Sequence, residues 1–188
     1  MFPAPFRVVL DANVLFPFSL RDTLLWAAYE DWYQPYWSDQ ILAEMHRNLV
    51  HKQQMTLEQA DRLRQQMMKI FPAAMMTGYE SLIEAMHNDP KDRHVAAVAV
   101  KAGAQVIVTS NLRDFRTLPE GLEAQSPDEF LSNLFDLDPE AMTTLVEAQA
   151  AKLRKPPRTF DEMLTGLGKL VPNFAVLIRD HVRLSNRD

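Results

Sequence analysis

Residues 89–115 read DPKDRHVAAVAVKAGAQVIVTSNLRDF. Asp89 with Pro90 makes a helix start, because proline lacks the N–H that a first helical turn leaves unbonded anyway. The run DRHVAAVAVKA is apolar enough to be buried, and Gly103 ends it, since glycine enters the left-handed region without strain. Residues 105–108 (QVIV) are β-branched and apolar, which reads as a buried parallel strand. Helix, glycine and strand in that order are the second half of a βαβ unit. The chain then turns polar at Thr109, opening TSNLRDF.

Working outward, Arg7–Leu10 (RVVL) is a second short apolar run and ends in Asp11. It reads as the partner strand. Helical segments fill the interval: Ser19 with Asp22 opens one, Ser38 or Asp39 the next, and Thr56 with Gln59 has the capping-box pattern. Beyond Pro119, LEAQS suggests a further short strand, and Ser126 in SPDE caps a helix to about residue 135. Asp138 caps another that reaches about residue 154, where KPPRT breaks it. Thr159 with Glu162 restarts the helix, and Gly166, Gly168 and Pro172 divide the remainder into two short helices. The expected fold class is α/β, a central parallel sheet flanked by helices in residues 1–136, followed by a helical extension over 137–188.

With 47% hydrophobic and 24% charged residues, the composition is that of a globular protein and not of a disordered or fibrous one. No apolar run approaches the roughly 18 residues of a membrane helix, and the N-terminus MFPAPFRVVL lacks an export signal. The expected location is the cytoplasm. The absence of cysteine excludes disulfides, thiolate metal sites and thiol nucleophiles. The net charge of -5 argues against nonspecific nucleic-acid binding, yet residues 151–188 carry eight Lys and Arg against four Asp and Glu. A basic tail on an acidic body can hold a polyanion while the body supplies carboxylates, or it is a solvated helical face.

In an open parallel sheet ligands bind beyond the carboxyl ends of the strands, where strand order reverses. That rule makes Asp11 and TSNLRDF neighbours. Taken singly, each carboxylate has an ordinary explanation: Asp11 and Asn13 as turn residues, Asp89 and Asp92 as helix caps, Glu44 as a surface residue on the rim of an apolar helical arc. Taken together, Asp11, Glu44, Asp92 and Asp114 would converge on one sheet edge. Like charges at 4 Å repel by about 1 kcal/mol per pair in water and ~4 at an effective dielectric of 20. A hard divalent cation removes that cost, and an all-oxygen shell selects Mg²⁺ or Mn²⁺. Such sites support phosphoryl and phosphodiester transfer.

The order VVLDANVL, a helix-borne Glu44, DPKDRHVAAVAV and TSNLRDF resembles the PIN-domain nuclease family, in particular VapC-type toxins of bacterial toxin–antitoxin pairs with an added C-terminal helical region. The resemblance covers roughly residues 6–135. It implies a Mg²⁺- or Mn²⁺-dependent endoribonuclease in which water attacks in line with the leaving 3′ oxygen and a 5′ phosphate remains. Asp11, Glu44 and Asp92 map onto the family's first three acidic positions. Many PIN domains have T-x-D, which would put an acid at 111, but this chain has Asn111 and offers Asp114 instead. Thr109, Asn111 and Asn13 then position ligands or water. The resemblance also implies an RNA substrate, a cognate antitoxin and a homodimer.

Arg93 and Arg113 flank these acids and can pair with them or with a substrate phosphate. His94 begins an apolar helix face and reads as a packed histidine. DWYQPYW, residues 31–37, holds four aromatics in seven residues and reads as core or a dimer contact before a base-stacking surface. Lys152, Arg154, Lys155, Arg158, Arg179, Arg183 and Arg187 supply the basic tail. Three rivals remain. A haloacid-dehalogenase-like phosphatase needs a second Asp where this chain has Asn13. A receiver-like regulatory domain needs an acidic pair before the first strand's phosphoacceptor, which this chain lacks. A catalytically inactive PIN-type RNA- or protein-binding module is favoured if Glu44 or Asp114 points away.

Overall fold

Four short segments pair as parallel strands in the order β2-β1-β3-β4: β1 (Arg7–Leu10), β2 (Gln34–Tyr36), β3 (Val106–Val108) and β4 (Glu123–Gln125). The computed structural model describes residues 6–152 and 159–185. Arg154, Lys155, Arg158, Arg187 and most of KPPRT lie outside the described residues. Among the described residues the helices are, in chain order, α1 (Ala12–Leu15), α2 (Phe18–Tyr29), α3 (Asp39–His51), α4 (Leu57–Ile70), α5 (Arg93–Ala102), α6 (Pro127–Leu137), α7 (Pro139–Lys152), α8 (Phe160–Leu167) and α9 (Pro172–Ser185). None is long and apolar enough to cross a membrane.

Two compact units divide the chain. One comprises the segment ending at Phe16 together with Tyr33–Gln125, and the other Pro17–Trp32 together with the chain from Ser126 onward. The sheet belongs to the first. Val9 pairs with Ile107 and Leu10 with Val108, and all four are inaccessible to solvent, as strands covered on both faces require. The Arg7 guanidinium donates to the Ala102 carbonyl at 2.9 Å, closing the end of α5 over β1. Gly103 is required there: it sits at φ +61°, and a Cβ would lie 3.2 Å from the Arg7 guanidinium. The helix that begins at Asp89 opens as a 3-10 turn over Pro90–Asp92 and becomes regular only at Arg93.

Strand β2 has no counterpart among the strands expected from the sequence. Its residues QPY contain a proline, which a strand tolerates only where its missing N–H faces no neighbour. At the sheet edge, paired to β1 alone, that condition is met. The aromatic cluster following α2 is mostly core: Tyr33, Tyr36 and Trp37 are buried, and Trp37 meets Phe71 edge-on at 5.7 Å. Ser38 caps α3 by accepting the Ile41 N–H at 3.2 Å. Thr56 and Gln59 form the anticipated capping box of α4. Thr56→Ala is expected to cost about 1 kcal/mol, read as a lower urea midpoint at unchanged slope.

The second unit is helical. Phe130, Leu164 and Phe174 are buried in it, and Thr23 of α2 donates to the Gln149 side chain of α7 at 2.9 Å, which satisfies a buried amide. Helix α2 begins at Phe18 after Pro17, so Ser19 is not its cap; the Ser19 carbonyl instead accepts from Thr23 and Gln149. Ser126 caps α6 and Thr159 with Glu162 boxes α8, as their sequence patterns indicate. Asp128 caps α9 across 46 residues, accepting the Phe174 N–H at 2.9 Å.

Candidate active site

The strand order reverses between β1 and β3, so the crevice beyond their carboxyl ends is the expected ligand position of this sheet. Asp11 leaves β1 there, its N–H donating to the Val108 carbonyl at 3.1 Å. The residue is 4% exposed. Thr109, the first residue after β3, donates its hydroxyl to Asp11 Oδ2 at 2.7 Å, and Asn13 Nδ2 donates to the same oxygen at 2.5 Å. Asn13 Oδ1 in turn accepts the Ser110 N–H at 2.9 Å, while Thr109 Oγ1 accepts the Asn111 N–H at 3.1 Å. One network thus locks the two strand ends together. Burial nevertheless raises the Asp11 pKa, against the lowering effect of the Thr109 and Ala12 hydrogen bonds, and the Glu44 charge raises it further.

Asp92 closes the 3-10 turn before α5, and its side chain makes no cap bond. Asp89 does that work, accepting the Lys91 N–H at 3.1 Å. Asp92 is therefore left to the crevice. Its pKa is pushed up to about 7, first by desolvation, then by the Asp11 charge, then by a hydrogen bond to Asp114 in which Asp92 holds the proton. Asp114 is lowered instead, chiefly because the Lys91 ammonium lies 2.7 Å from its Oδ2. Asn111 Nδ2 donates to the same Asp114 oxygen, and the Asp114 carbonyl accepts the Asp89 N–H at 3.0 Å. The TSNLRDF loop and the DPKD turn are thereby stapled.

Glu44 projects from α3 and is partly exposed, with its Oε1 3.4 Å from His94 Nε2 and 3.3 Å from Gln40 Nε2. At that length the histidine contact is an ion pair when His94 is protonated and not a good hydrogen bond. His94 is buried, as the apolar face suggested, and its Nδ1 faces the Lys91 carbonyl at 3.1 Å. A carbonyl only accepts, so Nδ1 carries a hydrogen and Nε2 turns toward the acids.

Asp11, Glu44 and Asp92 are thus electrostatic neighbours, with Asp11 interacting with both others, and Asp114 joins through Asp92. Arg93 donates Nε to the Asn88 carbonyl at 3.3 Å, a backbone staple; Arg113 contributes positive potential to Asp114. Lys91 is a further participant, and His94, which the apolar face marked only as packed, also turns Nε2 toward Glu44. Lys91 carried no signal, since its partner lies 23 positions away in sequence. Among the described residues no three acidic or histidine side chains form a ready-made metal shell. Mg²⁺ does not need one, because it is usually held through one or two carboxylates with water and substrate phosphate completing the octahedron. The Asp11 and Asp92 pair, hard oxygen donors both raised by desolvation, with Asp92 raised further by the Asp11 charge, fits that requirement.

Comparison with known proteins places the chain in a family. The family model for the PIN domain matches residues 7–113, which include Asp11, Glu44, Asp92, Thr109 and Asn111 and stop one residue before Asp114. A model described as the VapC50 C-terminal domain matches residues 127–180, which carry α6 to α8 and the first part of α9. The chain is similar, at 41% identity over 109 residues, to the Mycobacterium tuberculosis (strain ATCC 25618 / H37Rv) protein named "Putative ribonuclease VapC50". That match covers 56% of this chain and 64% of the relative, less than two thirds of its length. With its sheet order, its acidic crevice and a family match over more than half its residues, the chain belongs to the PIN-domain family.

Proposed function

We propose that the chain is a divalent-metal-dependent endoribonuclease that hydrolyses RNA phosphodiester bonds, and that it acts as the toxin of a toxin–antitoxin pair. The observation that carries this reading is the desolvation of Asp11 and Asp92 at the switch point of the sheet, where the Asp11 charge also raises the Asp92 pKa. A metal-free protein gains nothing from two carboxylates there. The likeness to a relative whose name says ribonuclease supports the same reaction.

Asp11 and Asp92 would hold Mg²⁺ or Mn²⁺, with Asp114 and Glu44 completing the acidic wall; the ion would orient water and neutralise charge on the leaving oxygen. Thr109 and Asn13 fix Asp11 in one rotamer and reserve its other oxygen. Glu44 takes the proton of the attacking water, and His94 behind it stabilises the carboxylate when protonated. The reaction forms a bond from water oxygen to phosphorus and breaks the bond to the 3′ oxygen, leaving a 5′ phosphate and a 3′ hydroxyl. Arg113 faces the substrate phosphate, whereas Arg93 acts first by holding the Asn88 loop. RNA is the substrate in this reading, an antitoxin protein the regulator, and a homodimer the working assembly.

Incubating a structured RNA with the protein in Mg²⁺, in Mn²⁺ and in EDTA tests the proposal. Cleavage with 5′ phosphate ends in either metal and none in EDTA is expected; cleavage that persists in EDTA contradicts it. Thr109→Val keeps the shape and removes the hydroxyl that holds Asp11. It should weaken metal affinity or lower kcat/KM by about 10- to 100-fold, the usual effect of losing a partner of a metal ligand. A second reading, a PIN-type binding module without catalysis, is favoured by the Lys91 ammonium that already neutralises Asp114. The same incubation separates the two.

A further inference from the structure

The helical unit contains a cleft of about 510 Å³ that the acidic crevice does not use. Its lining residues include Trp26, Trp32, Glu30, Asp138, Glu140 and Lys152, with Asp138 also accepting the Ala141 N–H at 3.0 Å. Two features of the chain build it. Helix α2 ends in a Schellman turn, with Asp31 N–H donating to Ala28 and Trp32 N–H to Ala27, and Asp31 takes the left-handed conformation at φ +60° that glycine ordinarily fills. That turn delivers Trp32 to the cavity that Trp26 lines. Trp26 is braced edge-on by Tyr29 at 5.5 Å.

The chemistry of the lining selects its occupant. The Lys152 ammonium lies 3.5 Å from the centroid of the Trp26 ring, so the indole face already takes a cation. Three carboxylates against one ammonium leave the cleft with excess negative charge, which repels a nucleic-acid phosphate and attracts a second cation. A volume of this size accommodates a long side chain with part of its backbone. Aromatic faces ringed by carboxylates are suited to a guanidinium, which stacks and donates hydrogen bonds in its plane.

We propose that this cleft docks an arginine or lysine side chain from a basic segment of a partner protein, with the incoming cation displacing Lys152 from Trp26. The inference does not rest on the ribonuclease reading and survives its failure.

The test uses the full chain and a dye-labelled, end-blocked peptide of six arginines, with binding followed by anisotropy and by tryptophan emission. The double variant Glu30→Gln, Glu140→Gln should weaken binding by at least about tenfold. Equal charge removed elsewhere, by Glu80→Gln with Glu84→Gln, should leave it unchanged. Lys152→Met frees the indole and should tighten binding about threefold or more, while Lys101→Met has no such effect. The opposite signs at Glu30/Glu140 and at Lys152 are the signature of a displaced cation. Equal loss in both glutamate pairs overturns the proposal as nonspecific attraction, and weaker binding by Lys152→Met overturns it directly. Labelled oligouridine that binds the parent and loses affinity in Lys152→Met would make the cleft an RNA surface. A change of oligomeric state in the Glu30/Glu140 variant would assign it to a second copy of the chain; either result overturns the proposal.

Discussion

Asp11→Asn should lower metal-supported RNA cleavage by at least about 10³-fold while leaving the protein folded. The substitution keeps the size of the side chain and one acceptor oxygen for the Thr109 hydroxyl, which lies 2.7 Å away in the parent. It removes the negative charge. A buried carboxylate held by two side-chain donors is a fixed ligand, and a neutral amide in its place binds a hard cation far less well. The expected loss corresponds to about 4 kcal/mol of transition-state stabilisation. Stability in EDTA should change little or rise, because the charge removed was desolvated and lay near those of Glu44 and Asp92. Steady-state kinetics of a fluorogenic RNA and a thermal melt in EDTA check the two halves; a variant retaining a tenth of parent activity would remove Asp11 from the site.

The second large effect is expected from Asp92→Asn, this time on stability without metal. Asp92 has a pKa of about 7 in the fold against a reference value of 3.8. Between those values the native state keeps a proton that the unfolded chain has released. Stability contributed through this group is therefore fullest below the lower value and is lost as pH rises to about 7. In EDTA the parent melting temperature should fall across that window, and the Asn variant should lose this component of the fall. Asn can donate to Asp114 as the protonated acid does, so the hydrogen bond is preserved. For a half-buried group the gain near pH 7.5 is about 1 to 2 kcal/mol after allowance for solvent screening, or roughly 2 to 8 °C in a chain of this size. Cleavage should be lost at the same time. Identical slopes of melting temperature against pH in parent and variant would show that Asp92 is not the strained carboxylate.

What the sequence disclosed follows from how local each signal is. RVVL before Asp11 and QVIV before Thr109 are short, apolar and β-branched, and both form parallel strands whose ends meet. Gly103 announces the end of α5 by a property of its own backbone. Strand β2 was hidden, because QPY has a proline and no alternation, and only its edge position makes it a strand. The grouping of residues 17–32 with the C-terminal helices was equally hidden, since it depends on contacts such as Thr23 to Gln149 across 126 positions.

In the site, Asp11, Asp92 and Thr109 could be singled out because each stands at the end of a regular element. Glu44 required helical periodicity as well. The Lys91 contact with Asp114 has no local signature: a lysine in a polar turn looks solvated until the TSNLRDF loop is folded against it. The orientation of His94 toward Glu44 is likewise fixed by a carbonyl one turn earlier, a detail of backbone geometry that residue type does not encode.

Thermal melts of the parent and of Asp11→Asn, each at increasing Mn²⁺ and at pH 7.5, bear most directly on a divalent-metal site at this crevice. An ion that binds the folded state alone raises parent stability by about 2.7 kcal/mol when free metal is 100 times its Kd. A saturating rise in melting temperature is expected for the parent and a flat response for Asp11→Asn. A parent that does not respond to millimolar Mn²⁺, or a variant that responds equally, would contradict it.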